Sequence, residues 1–236
     1  TGEIVAMSQR PTFNPETKQG LDDNGTWQNL LVESPYEPGS TIKLFTTAAS
    51  MEQGQFNPNE LFNRVGGIQV GDVTVNDHDY TRLNGKEYLN YRQAISWSSN
   101  IGMVKLEQKM GDEKWMEYLK KFGFGTSTHS GLSGESANDG SMLQPHYISK
   151  IVDKNTGKET ITEPQIVGTP IKAQTAQQIR TYMIDTVEDP TYGIAYDIYK
   201  VPGYHVAAKT GTAQISDGKG YVDGASQVLS SVVEMV

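Results

Sequence analysis

The run Ser40-Thr-Ile-Lys-Leu-Phe-Thr-Thr-Ala-Ala-Ser-Met51 follows Pro38-Gly39 and opens on a residue type suited to a helix N-cap. Its apolar positions, Ile42, Leu44, Phe45, Ala48 and Ala49, wrap most of a helical circumference. A helix that is apolar nearly all round belongs in an interior, so the rest of the chain must supply a shell around it. With 236 residues, 36% of them hydrophobic, the chain is long enough to do so, and we read one domain.

The shell elements follow from periodicity. Tyr91 to about Trp97 and Ile101 to Lys109 have helical spacing, interrupted at Ser98-Ser99-Asn100. Asp112 to Lys121 predicts a helix whose inner face carries Trp115, Met116 and Leu119, and Thr175 to Val187 one with Ala176, Ile179, Met183 and Val187 on its apolar face. Glu3 to Met7 reads as a short strand and Pro11 to Gly25 as loop. Tyr204 to Gln214 and Gln227 to Val236 read as antiparallel neighbours joined through Ser216-Asp-Gly-Lys-Gly220.

Charge and composition exclude several classes. The 28 acidic against 20 basic side chains leave a formal charge of −8, which argues against a nucleic-acid or anionic-lipid surface. No cysteine is present, so disulfide and thiolate-metal chemistry are excluded. His78, His129, His146 and His205 lack the i, i+4 spacing of a helical metal site, and neither a metal nor another cofactor is expected. Asp77-His78-Asp79 reads as a solvated loop, and Asn59-Glu60-Leu61-Phe62-Asn63 as a helix-flanking turn.

Three short motifs carry chemistry: Ser40-Thr-Ile-Lys43, Ser98-Ser-Asn100 and Lys209-Thr-Gly211. A spacing of three puts Ser40 and Lys43 one turn apart on one helix face. A serine hydroxyl needs a base, and a lysine serves as one only when its pKa is lowered; burial, the helix dipole and a second cation, Lys209, all push Lys43 that way. Ser98 and Asn100, two apart in an extended loop, would face one cleft. The Lys209-Thr210-Gly211-Thr212 strand offers an edge for substrate, with Gly211 leaving room for its approach and the lysine and hydroxyls suited to a carboxylate. Trp97 fits either the substrate groove or the core. Ser216-Asp-Gly-Lys219 and Ser136-Ala-Asn138 repeat two of the patterns by chance, since neither has the buried helix or the flanking helices of the other copies.

These motifs, with Thr1-Gly-Glu-Ile-Val-Ala-Met7, Tyr36-Glu-Pro-Gly-Ser-Thr-Ile-Lys43 and Ser98-Ser-Asn-Ile-Gly-Met103, resemble class B penicillin-binding proteins. Leu106-Glu-Gln-Lys-Met-Gly111 and Lys209-Thr-Gly-Thr-Ala-Gln-Ile215 point to the 2x type of Gram-positive cocci. The resemblance implies an α/β (α+β) transpeptidase fold of the serine β-lactamase type, with a central antiparallel sheet covered by helices on both faces and an all-helical subdomain. It implies that Ser40 is acylated, that Ser98 relays a proton between Lys43 and the leaving nitrogen, that Asn100 orients the substrate amide, and that the backbone N–H groups of Ser40 and Thr212 form the oxyanion hole. The implied activity is peptidoglycan D,D-transpeptidation on stem peptides ending in D-Ala-D-Ala, at the extracytoplasmic face of the bacterial membrane behind an N-terminal anchor. β-Lactam antibiotics and cell-wall synthesis or division proteins are the other implied partners. A β-lactamase or D,D-carboxypeptidase, and a non-catalytic β-lactam sensor, are the alternatives. Two departures stand out: some tens of residues that the family carries between Gly131-Leu-Ser-Gly-Glu135 and Ala137 are missing, as are a last strand and helix beyond Val236. Such a loss is expected to expose the back of the serine helix and to open the sheet edge.

Overall fold

The computed structural model describes residues 3–6, 8, 12–21, 37–81, 83, 85–125, 136–138, 141–143, 149–163, 165–214 and 228–235. His129, His146, the 216–220 connector and the stretch 131–135 lie outside the described residues.

The central helix, α1 (Ile42–Glu52), lies inside the molecule as its composition requires. Ala48, Ala49, Thr47 and Ser50 are buried, and Leu44 touches both main core clusters. Its start differs from expectation. Ser40 is not the N-cap but the middle of a 3₁₀ turn, Gly39–Thr41, and no side chain caps α1. Packing sets this geometry: Gly39 has φ +57°, and a Cβ there would lie 2.7 Å from the Thr212 carbonyl oxygen. The turn is pressed against a strand, and only glycine tolerates both the dihedral and the approach.

Short strands β1 (Leu61–Asn63), β2 (Ile68–Val70), β3 (Val73–Val75) and β4 (Tyr88–Asn90) precede the next helices; β1 pairs with β4, and β2 with β3, all antiparallel. The expected helix-flanking turn at Asn59–Asn63 is therefore corrected, because its second half is β1, with Phe62 in the core. Helices α2 (Tyr91–Ser96) and α3 (Asn100–Met110) follow as spaced in the sequence, α2 opening with a reciprocal Asn90–Gln93 capping box. In α4 (Asp112–Lys121) the buried residue is Tyr118, whereas Met116 is exposed. The inner face therefore runs Trp115, Tyr118 and Phe122, a better i, i+3, i+7 stripe than the one centred on Met116.

Strands β5 (Ser136–Asn138), β6 (Ser141–Leu143), β7 (Lys150–Val152), β8 (Glu159–Ile161) and β9 (Ile166–Gly168) form two small antiparallel sheets, β5-β6-β9 and β7-β8. The backbone thus passes through the point where the family segment is missing as a paired strand. Helix α5 (Ala173–Glu188) buries Ile179, Tyr182, Met183 and Val187. Strands β10 (Ala207–Gln214) and β11 (Val228–Met235) pair antiparallel from Ala207↔Met235 to Gln214↔Val228, as their patterns predict. At the other end of the chain only Glu3 makes a bridge; residues 4–6 form no strand.

Helix α1 packs on α3, α4 and α5, while α5 and the 39–41 turn pack on β10. One apolar cluster (Phe62, Leu89, Tyr91, Ile95, Ile101, Leu106) lies on the α2–α3 side of α1, and another (Met110, Tyr118, Phe122, Ile179, Met183) on the α4–α5 side. Each fully buried aliphatic side chain contributes roughly 1.5–3 kcal/mol by leaving water, so α1 is clamped from several directions, and with it the turn that carries Ser40.

Candidate active site

Three elements converge on the first turns of α1. Lys43, 6% exposed, donates from Nζ to the Ser98 carbonyl oxygen at 2.6 Å, to Asn100 Oδ1 at 2.6 Å and to Ser98 Oγ at 3.2 Å. Lys209, fully buried on β10, donates to the same Ser98 Oγ at 2.8 Å and to the Thr210 carbonyl oxygen at 2.9 Å. One hydroxyl therefore bridges two buried lysine nitrogens. Ser40 sits half-buried one turn before Lys43, and its turn abuts the backbone of Thr212.

Local structure explains how Ser98 and Asn100 meet the lysine, and it is not by extended alternation. Helix α2 ends with Ser98 N–H donating to Ile95 O and Ser99 N–H to Ala94 O. These are the two bonds of a Schellman ending, with Ser98 in the left-handed position at φ +59°. Glycine is the usual occupant, and a side chain there costs of order 1 kcal/mol or more. Ser99 then caps α3 by accepting from Gly102 N–H at 3.0 Å, and Asn100 is the first residue of that helix. The turn plus helix start, rather than a pleated segment, brings both side chains to Lys43.

A carboxylate that the sequence reading placed in solvent is central here. Asp77 is 2% exposed. Its Oδ1 accepts from the N–H groups of Asn100 (2.7 Å) and Ile101 (3.0 Å), and its Oδ2 from the Ser99 hydroxyl (2.8 Å). The neighbouring Asn76 carbonyl oxygen accepts from Asn100 Nδ2 at 2.8 Å. Behind Asp77 lies Arg64, 1% exposed, which donates to Asp77 at 3.0 Å, to Asp79 at 2.5 and 2.7 Å and to the Lys86 carbonyl oxygen at 2.5 Å. The solvated-loop expectation holds for the exposed His78 but fails for Asp77, and in part for the half-buried Asp79, because a buried guanidinium supplies the countercharge. The one sequence hint was the Asp-x-Asp spacing, which puts two carboxylates on one side of an extended segment and suits a guanidinium fork. Arg64 itself, 13 and 15 residues away, had no local signal.

Trp97 is tied into this network rather than free to line a groove by itself. Its Nε1 donates to Asp79 at 3.3 Å, while the Lys86 ammonium sits 4.3 Å from the ring centroid and the His78 ring lies tilted against it at 5.3 Å. Gly211 also has a different reason from the one expected. A Cβ there would meet Ser231 Oγ at 2.3 Å, the Pro38 carbonyl oxygen at 2.9 Å and Thr41 Cγ2 at 3.2 Å, so the missing side chain admits the serine turn and the neighbouring strand. The strand pleat places Lys209 and Gly211 on one face and Thr210 and Thr212 on the other. Lys209 is committed to Ser98, which leaves the half-buried Thr210 and the exposed Thr212 as the hydroxyls open to a ligand.

Burial lowers both lysines. Lys43 falls to about 8 through desolvation, partly opposed by the negative charge of Asp77. Lys209 falls to about 7 through desolvation and then the positive charge of Lys43. Burial likewise pushes His78 below its ordinary value, with Asp79 and Asp77 acting against the shift. For Asp79 burial works upward, but the hydrogen bonds from Arg64 and Trp97 outweigh it and hold the carboxyl below its ordinary value. Among the described residues no group of His, Asp or Glu is placed to hold a metal ion. Ser136-Ala-Asn138 is strand β5, outside this constellation.

The family model of the penicillin binding protein transpeptidase domain matches residues 1–138 and 136–236. The chain belongs to that family. The two stretches meet at the point where the sequence lacks the family segment. Penicillin-binding protein PbpB of Mycolicibacterium smegmatis is 31% identical over 91% of this chain and 39% of its own length. The probable peptidoglycan D,D-transpeptidase PbpC of Pseudomonas aeruginosa is 28% identical over 94% of this chain and 43% of its length. The crystal structure of penicillin binding protein 2X from Streptococcus thermophilus superposes with a TM-score of 0.90 at 36% identity, covering all of this chain and 41% of that one. The class B, 2x-type likeness and the mixed α/β transpeptidase fold read from the motifs therefore hold. The chain spans about 40% of the length of these relatives.

Proposed function

We propose that the chain carries a serine D,D-transpeptidase centre that cross-links peptidoglycan stem peptides and is acylated by β-lactams. The observation that carries this reading is the Ser98 hydroxyl held between Lys43, itself three residues after Ser40, and Lys209. Two cations on one hydroxyl disfavour each other's protonation, so one lysine is neutral near pH ~7–8 and can accept the Ser40 proton. Ser40 Oγ then bonds to the carbonyl carbon of the penultimate D-alanine. The C–N bond to the terminal D-alanine breaks, and its nitrogen takes a proton relayed through Ser98. An acceptor amine attacks the ester, loses its proton to the lysine and releases Ser40 as the hydroxyl. The N–H groups of Ser40 and Thr212 receive the developing oxyanion, Thr210 and Thr212 hold the substrate carboxylate, and Asn100 and Trp97 border the substrate. A β-lactam follows the first half of this path but leaves no separate amine, so the acyl-enzyme persists.

The names of the relatives support substrate and drug class: one is a probable peptidoglycan D,D-transpeptidase, and the matched family binds penicillin. The same reading places the domain on the extracytoplasmic side of the membrane, where its substrate lies, with cell-wall synthesis or division proteins as partners. Intact mass after incubation with benzylpenicillin tests it. One adduct per chain is expected in the wild type and none in Ser40→Ala; an adduct that survives the substitution refutes the nucleophile. Rapid penicillin hydrolysis would instead identify a β-lactamase, and acylation without any action on stem peptides a sensor.

A further inference from the structure

Outside the motif residues, the most built-up polar cluster among the described residues is Arg64, Asp77 and Asp79, and the proposed mechanism uses none of the three. Stability alone is a weak reason for such a cluster, because replacing buried ion pairs by well-packed apolar side chains is often neutral or stabilising. The contacts of Asp77 supply a better one. Asn100 and Ile101 carry two of the first N–H groups of α3, which have no partner within the helix, and a carboxylate at that end meets the positive pole of the helix. Fixing these groups and the Ser99 hydroxyl fixes the residues on either side of Ser99, and those are the two that Lys43 grips.

An uncompensated carboxylate this close to Lys43 would favour the ammonium form and spoil the base. Arg64 provides the compensation, and its fork on Asp79 keeps it in place. We infer that Asp77 is a positioning residue for the acyl-transfer site, and that Arg64, locked by Asp79, offsets part of its charge, so that it anchors Ser98-Ser99-Asn100 while favouring the charged form of Lys43 only in part. The inference rests on Lys43 serving as the base for Ser40. The charged and polar groups that face Lys43 are Asp77 and His78 from the segment after β3, Ser98 and Asn100 from the α2–α3 junction, and Lys209 from β10.

The test is the rate of benzylpenicillin acylation as a function of pH, read by intact mass. Asp77→Asn keeps an oxygen acceptor for the helix N–H groups and leaves Arg64 paired to Asp79, but its amide nitrogen stands where an oxygen accepted from Arg64 and the Ser99 hydroxyl, so it removes the charge and loosens the anchor together. Its plateau rate should fall, while the acid limb moves to lower pH by about 0.5 unit or more, about a threefold gain in the ratio of the rate near pH ~6.5 to the plateau. Arg64→Gln should move the limb the other way, and Arg64→Lys, which restores charge without the fork, should bring it back. A plateau loss with an unmoved limb in Asp77→Asn overturns the inference, as does a shift of both Asp77→Asn and Arg64→Gln in the same direction. Should Arg64→Gln not fold, the Asp77→Asn profile decides alone. Ser40→Ala run in parallel separates the two levels: an adduct in that variant strikes the nucleophile, not the role of Asp77.

Discussion

Raising the pH from about 7 to about 9.5 should make this protein more stable, and the two buried lysines of the candidate site are the reason. Lys43 titrates at about 8 and Lys209 at about 7 in the fold, against 10.5 for an ordinary lysine. Below about pH 7 both carry their protons in the folded and unfolded chains alike, and the fold bears the whole cost of desolvating two cations. That cost has upper bounds of about 3.5 kcal/mol for Lys43 and about 5 kcal/mol for Lys209, at ~1.4 kcal/mol per pKa unit. Above its folded pKa each lysine loses its proton in the native state while the unfolded chain keeps it. The unfolded state then binds more protons, so stability rises with pH, at a slope approaching ~1.4 kcal/mol per unit for each lysine. The two share Ser98, so the slope belongs to the pair rather than to either residue. The window closes near pH ~10, where unfolded tyrosines ionise ahead of Tyr91 and Tyr182, both raised first by burial. Urea unfolding at half-unit pH steps measures the slope, and Lys43→Met should remove roughly half of it. That variant also strands the Ser98 carbonyl oxygen and Asn100 Oδ1, which lowers its stability at every pH, so the slope and not the midpoint is the diagnostic. A wild-type stability that is flat or falling across this window, or a slope untouched in Lys43→Met, would refute the claim that burial makes these lysines bases.

Two further outcomes follow from the packing. Gly39→Ala puts a Cβ 2.7 Å from the Thr212 carbonyl oxygen at φ +57°, and should cost about 2–4 kcal/mol in urea unfolding while slowing acylation of Ser40; a change within about 0.5 kcal/mol would show that the turn is not pinned to β10. Glu52→Gln weakens the carboxylate that accepts from Lys172 N–H and the Thr175 hydroxyl at the start of α5, for a loss of about 1 kcal/mol at neutral pH. Burial works to raise the Glu52 carboxyl, but these partners hold it below 4.5. Its contribution is therefore present above the unfolded pKa and lost as pH falls through the folded one, so the gap between wild type and variant should close in acid.

Helix positions were legible because they depend on neighbours three and four residues away. The break at Ser98–Asn100, the extent of α4 and the pairing of β10 with β11 all match local spacing. Lys43 as a lysine of lowered pKa was legible too, since a cation on an apolar helix has to be desolvated. Three of the errors share one cause. Ser40 was read as a cap, Asp77 as solvated and Gly211 as clearance for substrate, each on the assumption that what lay opposite was water or ligand. What lay opposite was β10, Arg64 and the serine turn itself.

Spacing along the chain therefore established a buried helix, its serine and lysine one turn apart, and a Lys-Thr-Gly strand. Burial and countercharge at Asp77, the left-handed Ser98 and the shared grip of two lysines on one hydroxyl came only with the assembled molecule. The physical reason is range. Helical periodicity is a property of adjacent turns, whereas desolvation and charge compensation depend on which distant segments fold back against a group, and residues 43, 64, 77, 98 and 209 meet only when the whole shell has closed.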